Sequence, residues 1–321
     1  MSVQTIPVSS RAEWLKYREA DVTASVAGAL FGVHPYVSAY SLYALKTGLT
    51  SEDAEETEAM RRGRLLEPVA VQILREERPN WTIRHNSGAG QVYLRDPDLR
   101  IGATPDVFVD CPERGRGVVQ IKTVEPFLFR NVWQGGSSSN PVEIPLWIVI
   151  QAIVEARLAD ADFALVAPMA VSFGVTMPIL EIPLHKGIWE TLKGKVAEFW
   201  GQVDAGTPPS PDYAQDASLI ASLYGESNGT SIDLTGDNRI MAILADRDAL
   251  KARESDGNAA AKERKALDAE ILHKMGQAAI ATCGDGVTIS APTTHRKGYL
   301  VQPSSYRTVK VKGFAASEAA E

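Results

Sequence analysis

Apolar residues in the first 80 positions recur with the spacing of one helix face, interrupted by short polar or glycine-containing stretches. Ser10 and Glu13 form a capping-box pattern that predicts the start of a first helix, and Thr23 stands at the cap position of a second. Pro68 falls inside the fourth helix and is expected to kink it or reset its start, because proline lacks a backbone N–H. The predicted helices cover residues 10–19, 24–30, 38–47 and 61–78.

The spacing then changes to that of short strands. These strands are predicted over residues 81–85, 91–95, 101–109, 118–124, 163–169 and 176–182. Residues 145–158 predict a buried helix that is apolar on most faces, and residues 185–203 predict an amphipathic one. This order of elements predicts an α/β sandwich with a mixed central sheet flanked by helices.

Three prolines between residues 208 and 211 predict a domain boundary. We therefore expect a core domain over residues 1–207 and an accessory domain over residues 208–321. The accessory domain is predicted to contain a helical hairpin at about 238–282, short strands at about 286–312 and a disordered tail from Ala315.

Composition narrows the class of protein. A net charge of −7 argues against broad coating of nucleic acid, but a locally basic channel and an acidic metal site are compatible with it. Cys111 and Cys283 have no Cys or His nearby at metal-ligand spacing, which argues against a zinc site or an iron–sulfur cluster. The sequence has no signal-peptide pattern and no apolar run long enough to cross a membrane, so we expect a cytoplasmic protein.

Polar residues stand out on two predicted strands and on the helix before them. Asp106 follows Pro105 on one strand, and Glu67 lies on the helix. Gln120 and Lys122 share one face of the next strand, because strand side chains alternate. Hard oxygen ligands hold Mg²⁺, which polarises a phosphoryl group, and a neighbouring lysine orients or deprotonates the attacking water. Each motif alone is a common turn or strand edge, but their order and spacing together favour a site for phosphodiester cleavage.

Five blocks of sequence match one family pattern in order. The blocks are Glu13–Arg18 with Val22–Ser25, Gly63–Ala70, Gly102–Val107, Val119–Thr123, and the single position of Gln151. Together they resemble the lambda-exonuclease/YqaJ family of viral recombinases. The resemblance implies a PD-(D/E)XK (restriction-endonuclease-like) core and a metal-dependent deoxyribonuclease.

The resemblance also implies a role for each matched residue. The metal ligands would be Glu67, Asp106, Gln120 and the backbone carbonyl of Ile121, with Mg²⁺ as the ion and Mn²⁺ as a substitute. Lys122 would be the catalytic lysine, and Gln151 would contact the water on the ion or the scissile phosphate.

A second group of matched residues would bind the 5′-phosphate of a DNA end: Arg18, Thr23 and Ser25. Ser25 lies in the first turn of a predicted helix, where free N–H groups and the helix dipole favour an anion, and Arg18 would add a bidentate donor. The alternative interpretation is that Ser25 belongs only to a helix cap and Arg18 to a solvated helix face.

Position 120 departs from the family pattern, which has a carboxylate where this chain has Gln120. An amide oxygen can bind Mg²⁺ but carries no charge, so the second metal is expected to be held more weakly unless another acid substitutes. Glu125 is near in sequence but lies past the predicted strand.

The resemblance implies a 5′-to-3′ exonuclease on linear double-stranded DNA that leaves 3′ overhangs for a single-strand annealing protein. Ring-shaped trimers in the family imply a homo-oligomer, and a phage or prophage gene implies a bacterial host cytoplasm. Two alternatives stay open: a structure-specific or restriction-like endonuclease on the same fold, and, because of Gln120, a catalytically weak protein that binds DNA ends. The accessory domain is expected to serve oligomerisation, DNA contact or partner recruitment.

Overall fold

A computed structural model of the chain describes residues 2–51 and 56–224, with isolated positions between 239 and 290 beyond them. The chain divides into two units, Met1–Leu223 and Tyr224–Glu321, and the predicted site lies in the first. The expected boundary between residues 207 and 208 stays a prediction.

The six predicted helices of the first unit are present in the predicted order. They are α1 (Arg11–Ala20), a 3₁₀ helix (Ala24–Phe31), α2 (Ala39–Lys46), α3 (Glu58–Glu77), α5 (Leu146–Leu158) and α6 (Lys186–Ala205). Four further helical segments were not predicted: a 3₁₀ turn (Gly88–Gly90), α4 (Pro126–Leu128), a π-helical turn (Phe129–Trp133) and α7 (Ala217–Leu223). The Ser10 hydroxyl caps α1 by accepting from Glu13 N at 3.2 Å. The Glu13 carboxylate accepts from Ser9 N at 2.9 Å, one residue earlier than a capping box requires.

Helix α3 corrects one prediction. It begins at Glu58 rather than Arg61, because the Thr57 side chain accepts a hydrogen bond from Met60 N at 3.2 Å. Pro68 lies inside the helix and does not reset its start. The hydrogen bond lost at the proline is offset by burial of the apolar helix face that follows it, Ala70, Val71 and Leu74.

The strands of the first unit form two sheets. They are β1 (Gln4–Pro7), β2 (Val22–Thr23), β3 (Thr82–His85), β4 (Val92–Asp96), β5 (Ile101–Ala103), β6 (Val107–Cys111), β7 (Gly115–Val124), β8 (Phe163–Val171), β9 (Val175–Thr176) and β10 (Leu180–Ile182). The small sheet has the order β1-β4-β5-β2, and the large sheet has the order β10-β8-β7-β6-β3, with β9 paired to β8. Both are mixed, since β2 runs parallel to β5 and β7 runs parallel to β8.

The single strand predicted over residues 101–109 is wrong. The structure contains two strands there, β5 in the small sheet and β6 in the large one, separated by Thr104–Asp106. Pro105 offers no N–H to a strand ladder. The carbonyl of Pro105 instead accepts from Asn86 Nδ2 at 2.9 Å. The segment before Asp106 is therefore the link by which the chain passes from one sheet to the other.

The large sheet is covered by a helix on each face. One face, with Val119 and Ile121 of β7, packs against α3. The opposite face, with Val118 of β7, packs against α5, which is buried along most of its length as predicted. Strand alternation therefore directs Gln120 and Lys122 towards α5.

Little of the accessory region is described. Ile280–Thr282 and Thr288–Ser290 form an antiparallel pair, β11 and β12. The helical hairpin expected at about 238–282 and the short strands expected at about 286–312 stay predictions. Most of the hairpin, the remaining strands and the tail lie outside the described residues. In the part of the chain that the structure describes, no helix is both long and apolar enough to cross a membrane.

Candidate active site

One cavity of about 750 Å³ is lined by every residue that the sequence singled out for the site. They are Arg18, Thr23, Ser25, Glu67, Asp106, Gln120, Ile121, Lys122 and Gln151. The wall of this cavity therefore joins the predicted metal site and the predicted phosphate pocket, while the role of each residue stays a prediction.

Asp106 is fixed at the start of β6 by neighbours on both sides. Its backbone carbonyl accepts from Asn86 N at 2.9 Å. Its Oδ2 accepts from the backbone N of Ile121 at 2.8 Å and from the side-chain Nε2 of Gln120. The β6–β7 hairpin sets this geometry, because Val107 pairs with Val119 and so places Asp106 beside the next residues of β7.

The carboxyl group of Asp106 is half-buried in the wall of the cavity. Burial raises the pKa of Asp106 to about 7, and the charge of Glu67 acts in the same direction while Lys122 opposes it. A cation in the cavity would favour the ionised form of this group.

Glu67 reaches the cavity from α3. Its Oε1 lies 2.6 Å from Nε2 of His85 on β3, and the two side chains are 31% and 17% exposed. His85 was not among the predicted site residues, and it orients the carboxylate of Glu67.

Lys122 begins a chain of hydrogen bonds that runs into the buried face of α5. Its Nζ donates to Gln151 Oε1 at 3.0 Å. Gln151 Nε2 then donates to Gln120 Oε1 and to Glu155 Oε1, each at 2.8 Å. Since a lysine only donates, this order fixes the Gln151 amide with its oxygen towards Lys122 and its nitrogen towards Gln120 and Glu155.

The amide of Gln120 faces two of the expected metal ligands with its nitrogen. Gln120 Nε2 donates to Asp106 Oδ2 and to the backbone carbonyl of Ile121, the latter at 3.3 Å. The N–H₂ group therefore lies between two oxygens that were predicted to hold an ion. For Gln120 to act as a ligand, its amide has to turn its oxygen towards the ion.

The donors suit a hard divalent cation, which prefers oxygen ligands. Asp106 and Glu67 supply carboxylates, Ile121 supplies a main-chain carbonyl and Gln120 an amide oxygen. Within the described ranges, no three His, Cys, Asp or Glu side chains form a ready group of metal ligands. An ion at this position thus relies on amide or carbonyl oxygens, or on a shift of the carboxylates.

The lining of the cavity also includes the residues of the predicted phosphate pocket. The Trp14 indole N–H donates to Thr104 Oγ1 at 3.0 Å, which ties α1 to the link between the sheets. The Arg18 guanidinium lies 4.4 Å from the centre of the Trp14 ring. The hydroxyls of Thr23 and Ser25 lie 3.1 Å apart at the start of the 3₁₀ helix.

Sequence reasoning missed Glu155. It lies on α5, is 1% exposed and lines the cavity. Burial, followed by the charge of Asp106, raises the pKa of Glu155 well above its ordinary value. The signal was present in the sequence, because Gln151 and Glu155 are four residues apart in an otherwise apolar helix and so share one helix face.

The α/β core, with carboxylates and a lysine around one cavity, has the residues expected of a nuclease. Residues 13–161 match the family model described as the YqaJ-like viral recombinase domain. Over these residues the chain is similar to that family, and the predicted family resemblance, the mixed α/β fold class and the prediction of a nuclease are confirmed.

Several solved structures are similar to this chain. An alkaline exonuclease from Laribacter hongkongensis is 18% identical, with a TM-score of 0.42 over 65% of this chain and 98% of that one. A phage-related exonuclease from Haemophilus somnus is 13% identical, with a TM-score of 0.42 over 58% and 94% of the two chains. A putative exonuclease from Eubacterium rectale is 9% identical, with a TM-score of 0.44 over 72% and 98%. No curated protein matches the sequence.

Proposed function

We propose that the protein is a Mg²⁺-dependent exonuclease that degrades linear double-stranded DNA in the 5′-to-3′ direction. It would leave a 3′ single strand for an annealing protein in phage-type recombination. The observation that carries the proposal is the single cavity, whose wall includes both the acidic site around Asp106 and the pocket of Arg18, Thr23 and Ser25.

The residues of the acidic site have different roles in the proposed phosphodiester cleavage. When bound, Mg²⁺, or Mn²⁺ as its substitute, would neutralise negative charge at the phosphoryl group. Lys122 orients the attacking water and stabilises negative charge with its ammonium group, which Gln151 holds in place through a 3.0 Å hydrogen bond. Asp106 and Glu67 would hold the cation through carboxylate oxygens, with His85 fixing the orientation of Glu67.

The phosphate pocket would select a DNA end. A 5′-phosphate placed beside Arg18 and Ser25 would form stronger charge-assisted hydrogen bonds than an internal phosphodiester, because a terminal phosphate has a third non-bridging oxygen and more negative charge. The next phosphodiester along the strand then lies towards the acidic wall of the same cavity. This arrangement supports removal of one nucleotide at a time from a 5′-phosphorylated end.

The test uses a linear duplex labelled separately at its 5′ and 3′ ends, together with a covalently closed circle of the same sequence. With Mg²⁺, the 5′ label is expected to appear in mononucleotides while the 3′ label stays in shortening strands, and the circle stays intact. EDTA should stop the release of label. Lys122→Ala should lose cleavage by about 10²-fold or more while keeping fold and DNA binding, whereas Lys186→Ala, an exposed lysine on α6, should behave as wild type.

Two results would contradict the proposal. Cutting of the closed circle would indicate an endonuclease on the same fold. Equal digestion of 5′-phosphorylated and 5′-hydroxyl ends would remove the phosphate pocket from the mechanism, and Arg18→Ala would then leave end preference unchanged.

A second candidate function is a DNA-end-binding protein without efficient cleavage. The observation that favours it is the Gln120 amide, whose nitrogen faces Asp106 and the Ile121 carbonyl. Tight binding to DNA ends with no nucleotide release in either Mg²⁺ or Mn²⁺ would support this candidate over the exonuclease.

The proposal extends to assembly and setting. A homo-oligomeric ring would keep the enzyme on its DNA, and an annealing protein would take up the single strand as it forms. The setting would be the cytoplasm of a bacterial host that carries the gene on a phage or prophage. Light scattering of the full chain, with and without duplex DNA, measures the oligomeric state.

A further inference from the structure

The proposed cation site has one negative charge fewer than the family pattern, because that pattern has a carboxylate where this chain has the amide of Gln120. Glu125 is the nearest acid in sequence, but it is exposed and lies beyond the end of β7. Its carboxylate accepts from Leu128 N at 3.0 Å and caps α4. Glu125 is therefore engaged outside the cavity and does not replace the missing charge.

Glu155 lies on the inner wall of the same cavity with one oxygen unused. Its Oε1 accepts from Gln151 Nε2 at 2.8 Å. Its Oε2 is buried and has no hydrogen-bond partner. A buried carboxylate oxygen without a partner is costly unless a cation or a donor meets it. The side chain is 1% exposed, so bulk water does not fill this role.

The hydrogen-bond chain explains why Glu155 is available and Gln120 is not. Lys122 fixes the Gln151 oxygen, which leaves the Gln151 nitrogen for Gln120 Oε1 and Glu155 Oε1. The Gln120 oxygen is thus already accepting a hydrogen bond, and its nitrogen faces Asp106. Within this chain of hydrogen bonds, the buried carboxylate oxygen that has no donor is Glu155 Oε2.

We propose that Glu155 supplies the negative charge that position 120 lacks, as an acidic group of the divalent-cation site. The charge is carried by α5 instead of β7, one helical turn beyond Gln151 and on the same side of the sheet as Gln120. This inference rests on the metal dependence of the proposed function.

Titration of the metal-free full chain with Mn²⁺, followed by electron paramagnetic resonance and calorimetry, tests the assignment without measuring cleavage. Glu155→Gln keeps the shape of the side chain and an oxygen for the Gln151 nitrogen but removes the charge. We expect it to raise the Kd for Mn²⁺ by about 10- to 100-fold, the range found when a partner of a metal site is lost. Glu198→Gln, on the exposed side of α6, is the matched control and should leave the Kd unchanged.

The double variant Gln120→Glu/Glu155→Gln returns the carboxylate to the strand and leaves the total charge as in wild type. It should recover most of the Mn²⁺ affinity lost in Glu155→Gln. Failure to recover would show that Glu155→Gln acts through packing, which would overturn the assignment.

The remaining outcomes separate this inference from the proposed function. If wild type binds Mn²⁺ and Glu155→Gln binds it equally well, the role of Glu155 is wrong while the metal-dependent nuclease stands. If wild type binds no Mn²⁺, both the proposed function and the role of Glu155 are wrong.

Discussion

At the residue scale, the site places two acidic groups beside a hydrogen-bonded pair of amides, Gln120 and Gln151. Asp106 is half-buried and accepts from Gln120 Nε2, whereas Glu155 is buried and accepts from Gln151 Nε2. The Gln120 N–H₂ group lies against Asp106 Oδ2. At the proposed cation site, residue 120 would therefore influence how easily an ion enters.

Gln120→Glu is expected to preserve or raise Mg²⁺-supported cleavage. The new carboxylate adds a charged ligand to the ion, but in the absence of metal it faces Asp106 and repels it. The variant should therefore be less stable than wild type in EDTA and gain more stability from Mg²⁺. Thermal unfolding with and without Mg²⁺, beside nuclease rates, measures both effects. A sharp loss of cleavage in a folded variant would show that Gln120 has another role.

The raised pKa of the Asp106 carboxyl predicts a pH dependence of stability. Its pKa is about 7 in the folded, metal-free chain and 3.8 ordinarily. Between these values the unfolded chain has released the proton and the folded chain keeps it, so the metal-free protein should lose stability as the pH rises from 3.8 to about 7. A divalent cation binds the deprotonated form, so stabilisation by Mg²⁺ should grow as the pH rises through this range.

Melting temperatures with and without Mg²⁺, recorded at several pH values on both sides of 7, provide the measurement. Asp106→Asn removes the titrating group and is the control, since its Mg²⁺ effect should be small at every pH. A Mg²⁺ effect in wild type that shrinks as the pH rises would contradict the assignment of Asp106 as a ligand.

At the element scale, the order of helices and strands follows from local patterns, but the division into two sheets does not. Helices α1, α2 and α5 and strand β7 were predictable within a few residues, because caps and apolar spacing are local signals. The split at Thr104–Asp106 depends on Asn86, which is distant in sequence and bonds the Pro105 carbonyl. Apolar periodicity on both sides of Pro105 conceals such a break.

The candidate site was likewise predictable where local sequence patterns place its residues, but not where contacts between distant elements do. Asp106, Gln120 and Lys122 were predictable because they lie on adjacent strands at matching positions. His85 was identified only when the fold brought β3 to α3. The spacing of Glu155 from Gln151 is visible in the sequence, but its place in the cavity follows only from the packing of α5 against β7. From sequence alone, a glutamate in an apolar helix indicates only a residue that favours helices. Its place in the site follows once the strand that packs against the helix, here β7, is known.

Close packing of the 3₁₀ helix on α5 predicts a second effect at this scale. A Cβ added at Gly28 would lie 2.8 Å from Trp147 Cβ and 3.1 Å from its Cα. The nearby backbone of α5 cannot move aside cheaply, so Gly28→Ala should destabilise the protein by about 1–3 kcal/mol. Denaturant unfolding measures the change. Gly194→Ala in α6 meets nothing within 4 Å and should stabilise slightly; equal stability of Gly28→Ala and wild type would contradict the tight fit.

At the scale of the whole molecule, the cavity lies where the chain of the first unit passes between its two sheets. The small sheet contributes Thr23 on β2, and the large sheet contributes Gln120 and Lys122 on β7. Asp106 lies between the two sheets, in the link Thr104–Asp106. Under the proposed function, cleavage at a DNA end would use residues from both sheets, so the stability of the first unit as a whole would determine the geometry of the site.

Residues 208–223, between the proline cluster and the end of the first unit, determine where the chain can be shortened without destabilising that unit. Asp216 is 2% exposed and accepts from the Ser38 hydroxyl, which caps α2, at 2.6 Å. Gln215 Nε2 donates to the carbonyl of His34 at 3.1 Å. Residues 208–223 therefore stabilise the N-terminal helices, although the prolines place them after the expected boundary.

Two truncated chains test this assignment. The chain 1–223 is expected to unfold cooperatively and to keep Mn²⁺ binding, whereas 1–207 should be less stable by about 1–3 kcal/mol, since two hydrogen bonds and the buried carboxylate are lost. Ser38→Ala in the 1–223 chain is the control for the cap alone. If the accessory region also serves assembly, 1–223 should differ from the full chain in oligomer size or in the number of nucleotides released per binding event. Unchanged values for both would remove the accessory region from assembly and processivity.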